Sequence, residues 1–173
     1  MSISDTLVES LKTWDIKEVQ GILHHGCHGE DVGVQVGSLH LSGNKWFSKN
    51  SFYAGEYAWH FSRPSTGTRY RCDLELKTKI TGVVQPEFEG ELGWHMFLKK
   101  CFPHVDSGYG LSKHFQNTLQ DHLKVAFPEK EVTCYMTESQ SELLIPNCED
   151  FVSVKHFELL PDSKADYRSK YKA

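Results

Sequence analysis

The sequence contains no apolar run long enough to cross a bilayer, no C-x-x-C pair, no low-complexity tract and no internal repeat. Each absence removes a class. A transmembrane helix needs about 20 consecutive apolar residues, and the opening "MSISDTLVESLKTWDIKE" lacks the basic start and apolar middle of a secretory signal. The five cysteines are odd in number and have no paired spacing, which argues against a disulfide framework or a zinc ribbon. Reduced thiols in a cytosol are therefore expected, with delivery by a signal-independent route left open. The net charge of −4 gives no global basic field, so capture of nucleic acid or of an anionic membrane by charge alone has no support.

What is present is an ordinary globular composition over 173 residues, enough for one domain with its own core, expected to span 1–173. Leu7, Leu11 and Trp14 at helical spacing after Ser4 predict an opening amphipathic helix that breaks near Trp14 and Asp15. "QGILHHG" reads as a short strand closed by glycine, and "DVGVQVGSLHLSGNKWF" as an irregular, glycine-rich turn region. Tyr53, Ala54, Tyr57, Ala58 and Phe61 return to helical spacing and stop before Pro64. "RYRCDLELKTKI" alternates as a half-buried strand does. Leu111, Phe115, Leu119, His122 and Leu123 mark another helix, followed by strands in "EVTCYMT", "SELLIP" and "FVSVKHFEL". The polar end, 161–173, reads as a mobile tail. This order of elements predicts an α+β fold of mostly antiparallel, split β-sheets with short flanking helices, not a regular βαβ alternation.

Three histidines and a cysteine within five positions, His24, His25, Cys27 and His28, invite a zinc reading. Alternate residues on a strand face opposite ways and no second ligand pair has the right spacing, so no metal is expected and His24 is expected to face away from His25. The many aromatic residues between 46 and 59 are in part simply core. "RPSTGTRYR" lacks the glycine pattern and lysine of a phosphate loop and reads as a turn, although Arg63 and Arg69 could meet a pyrophosphate. The glutamates of "PEFEGELGW" read as an acidic surface loop.

Taken in order, "LHHGC", "WFSKNSFYAGEYA" and "QSELLIP" resemble the motifs of the ADP-ribosyltransferase fold, in its diphtheria-toxin-like and poly(ADP-ribose) polymerase-like branch. The resemblance covers most of the chain. It matches His25 and Gly26 to a first-strand His-Gly, Trp46, Ser48 and Tyr57 to the aromatic second motif, and Glu142 with Gln140 to a Gln-x-Glu third motif. Trp46 stands where that branch has tyrosine and Ala54 where it often has serine, while Gln-x-Glu is more familiar in the arginine-serine-glutamate branch.

The resemblance implies an NAD-dependent mono-ADP-ribosyltransferase that releases nicotinamide through an oxocarbenium-like ribose. In that reading the Gly26 main chain pairs with the nicotinamide carboxamide and His25 with a ribose hydroxyl. Trp46 and Tyr57 offer flat faces to the pyridinium, and Ser48 contacts the carboxamide or shapes the motif. Glu142 places negative charge beside the developing cation, and Gln140, two positions earlier, points to the same side if the strand is regular, so that its amide orients the attacking group. NAD is the implied co-substrate and the implied acceptor is a macromolecule, protein before nucleic acid. The competing expectations are an NAD glycohydrolase, an RNA 2′-phosphotransferase, against which the lack of a basic surface counts, and an inactive binding module on the same fold.

Overall fold

The computed structural model describes residues 3–29, 33–35, 38–106 and 108–172. In chain order the elements are helix α1 (Asp5–Leu11), strands β1 (Asp15–Glu18), β2 (Leu23–His28), β3 (Gly33–Gln35), β4 (Ser38–His40) and β5 (Lys45–Ser48), helix α2 (Ser51–Glu56) with a 3-10 turn at Tyr57–Trp59, strands β6 (Arg69–Leu76) and β7 (Thr81–Val84), helices α3 (Gly90–Cys101) and α4 (Tyr109–Ala126), strands β8 (Cys134–Met136) and β9 (Glu142–Ile145), a 3-10 turn at Cys148–Asp150, strand β10 (Val152–Leu159) and helix α5 (Lys164–Tyr171). The fold is α+β with five α-helices among the described residues and mostly antiparallel strand pairing. No described helix is long and apolar enough to cross a membrane. The chain divides into two compact units, Met1–Val19 with Lys79–Pro146, and Gln20–Thr78 with Asn147–Ala173.

In the first unit the strand order is β1-β7-β8-β9. β1 and β7 are antiparallel, β7 and β8 parallel, and β8 and β9 antiparallel. The parallel pair needs a long crossover, which α3 and α4 supply. Ser4 caps α1, its hydroxyl accepting from Leu7 N–H, so the predicted start is observed, while the helix itself stops at Leu11. The expected acidic loop at Glu87, Glu89 and Glu91 is instead the approach to α3 and its first turn. The glycines at 90 and 93 obscure a helical repeat whose apolar positions, Trp94, Leu98 and Cys101, face inward. Trp94 stacks on Tyr135 with ring centroids 5.6 Å apart and meets Phe115 edge-on at 5.3 Å. Such contacts add to the burial of large rings and explain why a segment with weak local helix signals is helical.

Three histidines gather where α3 turns into α4. His122 is fully buried: its Nε2 accepts from Ser4 N–H at 2.9 Å, so Nδ1 carries the hydrogen toward the Thr118 carbonyl, 2.8 Å away. His114 lies edge-on to Phe102 at 4.6 Å and to His104 at 5.6 Å, and its Nε2 is buried without a hydrogen-bond partner among the described residues. Burial, then the charges of His104 and His122, hold His114 below the ordinary histidine range. A histidine unfolded near 6.5 and lower when folded binds more protons in the unfolded chain, so its stabilising effect is complete above about pH 6.5 and is lost as the pH falls toward the folded value. Urea unfolding across that range is expected to show stability declining on the acid side, with a shallower decline in His114→Gln. Equal slopes in the two proteins would remove His114 as the cause.

In the second unit the order is β5-β2-β6-β10, all antiparallel, with β3 and β4 forming a separate two-stranded pair. The segment expected to be irregular therefore holds β3, β4 and β5, with 31–32 and 36–37 outside the described residues. Glycine and alternating polar residues concealed short strands: β3 and β4 pair with each other, and β5 pairs with β2. β6 alternates as expected through Cys72 and Leu74, both buried, but Arg69 is buried as well. The end of the chain is not a free tail. Ser163 caps α5 by accepting from Asp166 N–H, and Tyr167 is fully buried, donating to the Phe52 carbonyl at 2.7 Å and stacking on Phe52 at 5.4 Å. One buried tyrosine and a cap hold a helix whose composition is otherwise that of a solvated segment.

Candidate functional site

β2 presents its residues alternately. His25 lies opposite Cys72, while His24 lies opposite Asp73 on one side and Ser48 on the other. As expected for a strand, the two histidines do different things. His24 Nδ1 meets the Asp73 carboxylate at 2.6 Å. His25 is 6 % exposed; its ring packs on Phe47 at 5.4 Å and its Nδ1 lies 2.6 Å from the Trp46 carbonyl. Because a carbonyl only accepts, Nδ1 carries the hydrogen, which makes Nε2 the acceptor nitrogen of the neutral ring.

His28 is also buried, with Nε2 2.6 Å from the Thr66 carbonyl, so it supports the 63–68 turn. Cys27 and Cys72 are buried neighbours, and the Cys72 thiol is pushed up first by its hydrogen bond with Cys27 and then by burial. All five cysteines are buried and none is in a disulfide; burial pushes Cys101 up to about 11 and Cys148 up to about 12, which keeps them as inert thiols. Among the described residues no group of three or more His, Cys, Asp or Glu side chains could hold a metal ion.

Gly26 has no room for a side chain, for a reason the sequence does not show. A Cβ there would lie 2.1 Å from the Ala54 carbonyl oxygen and 3.1 Å from Ala58 N, so α2 and the 3-10 turn after it sit directly on the β2 backbone. Ser48, 3 % exposed, accepts from Asn50 N–H at 3.0 Å, and Asn50 in turn caps α2 by accepting from Tyr53 N–H at 2.9 Å. Of the two roles considered for Ser48, this hydrogen bond serves the second: it shapes the turn into the helix. Trp46 is half-buried.

Tyr57 opens the 3-10 turn and is 37 % exposed. Tyr53, one helical turn earlier, meets it edge-on at 5.2 Å, with the hydroxyls 3.4 Å apart. Arg63 donates to the Tyr57 carbonyl at 2.5 Å and to the Gly26 carbonyl at 3.4 Å.

Arg69 is 4 % exposed and donates to the carbonyls of Ala58 (3.0 Å), Pro64 (2.8 Å) and Gly67 (3.3 Å), with its guanidinium 5.4 Å from the Trp59 ring centre. A guanidinium committed to three carbonyls is scaffold, which corrects the expectation that Arg69 could meet a pyrophosphate. Strand alternation gives no hint of this, because it reports the face of a residue and not its partners.

Gln140 and Glu142 belong to the other unit. Glu142 is half-buried and opens β9. Its charge is felt locally: Tyr135, pushed up first by burial, is pushed further by Glu142 and Glu138. Gln140 is not on the strand. It sits in the turn before β9 with φ +58°, its N–H donating to the Thr137 carbonyl at 2.8 Å, so the two-residue alternation that would align it with Glu142 does not extend to it. A left-handed backbone at a non-glycine residue is uncommon and marks this turn as built to one shape.

No family model, no curated protein and no solved structure matches this chain. Of the residues singled out in the sequence, His25, Gly26, Trp46, Ser48 and Tyr57, spread over 33 positions, lie in one unit, on β2, β5 and the 3-10 turn that follows α2.

Proposed function

We propose that the protein is an NAD-dependent mono-ADP-ribosyltransferase, moving ADP-ribose from NAD to a macromolecular acceptor, protein before nucleic acid, and releasing nicotinamide. The observation that carries the proposal is the joining of the first two motifs in one unit: Gly26 lies under α2, and Arg63 ties the Gly26 carbonyl to the Tyr57 carbonyl. A nicotinamide carboxamide needs a backbone donor and acceptor, and its ring needs a flat neighbour. In this reading the β2 main chain at Gly26 is assigned to the carboxamide and the part-exposed Tyr57 ring to the pyridinium. His25, with Nδ1–H directed at the Trp46 carbonyl, is assigned the contact to a ribose hydroxyl.

In the reaction the bond between ribose C1′ and the pyridinium nitrogen breaks with its electron pair going to the ring, so nicotinamide leaves neutral and positive charge develops on the ribose. Glu142 is assigned the carboxylate that stabilises this charge. The acceptor's lone pair then closes on C1′ and its proton is lost to solvent.

The test is nicotinamide release from NAD by the purified protein, with intact-mass analysis of proteins in an added lysate. Release together with an added ADP-ribose mass supports the transferase. Release without added mass moves the reading to NAD hydrolysis, and no release with lysate present sinks both.

A further inference from the structure

Arg63 precedes Pro64, which disfavours a helical backbone at the arginine. Its N–H donates to the His60 carbonyl at 2.9 Å, and its side chain folds back over the segment it has just left. One guanidinium nitrogen reaches the Tyr57 carbonyl at 2.5 Å and the other the Gly26 carbonyl at 3.4 Å. Thirty-seven positions separate Arg63 from Gly26, so this contact joins the turn to β2 and is not a local cap. Arg69 takes the neighbouring Ala58 carbonyl but is buried, whereas Arg63 is half-buried, beside the exposed Tyr57.

We propose that Arg63 is a positioning residue of the nicotinamide pocket. By bridging the carbonyls of Gly26 and Tyr57 it sets the distance between the main chain that pairs with the carboxamide and the ring that covers the pyridinium. The inference rests on the ADP-ribosyltransferase reading of this site. A planar guanidinium can hold two carbonyls in one geometry; a lysine ammonium is a point charge without that fork. The Gly26 oxygen has two lone pairs, of which Arg63 uses one.

The test is binding of two probes, nicotinamide alone and ADP-ribose alone, followed by intrinsic tryptophan fluorescence. The proteins compared are the wild type, Arg63→Met, Arg63→Lys and a control, Arg168→Met, whose exposed arginine pairs with Glu56. Arg63→Met is expected to weaken nicotinamide about tenfold, as loss of hydrogen bonds from a charged donor does, while ADP-ribose binding holds. Arg63→Lys is expected to fall between it and the wild type, and Arg168→Met to match the wild type on both probes.

If the wild type binds no nicotinamide, the pocket reading falls and the clamp with it. If the wild type binds nicotinamide and the Arg63 variants bind it equally well, the clamp alone is overturned. Equal loss of both probes in Arg63→Met also overturns it, since that is the mark of a merely structural side chain. Should Arg63→Met fail to fold, Arg63→Lys decides by the same comparison.

Discussion

Glu142→Gln is expected to lower nicotinamide release about a thousandfold while the protein stays folded, the order of effect seen when a preorganised electrostatic group is removed from a reacting centre. Glutamine keeps the shape of glutamate while removing the charge and exchanging one acceptor oxygen for a donor NH2. The main chain at Glu142 is held independently of the carboxylate: Thr137 N–H donates to its carbonyl at 3.0 Å, and its own N–H donates to the Thr137 hydroxyl at 3.3 Å. Leu143 and Leu144 stay paired with Met136 and Tyr135. The loss should fall on kcat, because the carboxylate is assigned to a charge that exists only as the bond breaks. Paired rate measurements and a thermal melt check both halves of this expectation. A fall of less than tenfold in a folded variant would take Glu142 out of the reaction.

Gly26→Ala should fail for a different reason, through the fold. The added Cβ would stand 2.1 Å from the Ala54 carbonyl oxygen and 3.0 Å from its carbonyl carbon, and both are main-chain atoms that no rotamer change can move aside. Relief requires α2 to lift from β2, carrying Tyr57 with it. Overpacking of this kind costs about 3 kcal/mol, to be read as a shift of the denaturant midpoint, with loss of nicotinamide binding in whatever protein remains folded. An alanine variant of native stability would show that the helix seats loosely and that Gly26 is replaceable.

Much of the fold was legible because its signals are local. Ser4 and the repeat of Leu7 and Leu11 specify α1, the alternation through Cys72 and Leu74 specifies β6, and the repeat from Leu111 to Leu123 specifies α4. α3 and α5 were not legible. Two glycines weaken the first and a polar composition the second, and each is stabilised by aromatic residues, Trp94 and Tyr167, whose partners lie far away in the chain. Propensity is a weak prior that such packing overrides.

The candidate site divides along the same line. The sequence by itself determined which residue types were available and in what order: a His-Gly at the end of an apolar strand entry, aromatic residues leading into a short helix, and a glutamate opening a late strand. These could be read because strand and helix periods are properties of neighbouring residues. Only the tertiary structure decided that Gly26 is kept small by the backbone of α2, that Ser48 shapes a turn, that Gln140 lies off its strand, and that Arg69 is scaffold while Arg63 joins Gly26 to Tyr57. Each of these depends on a carbonyl or amide brought near by the fold, and every residue carries such groups whatever its side chain, so no pattern of residue types announces them.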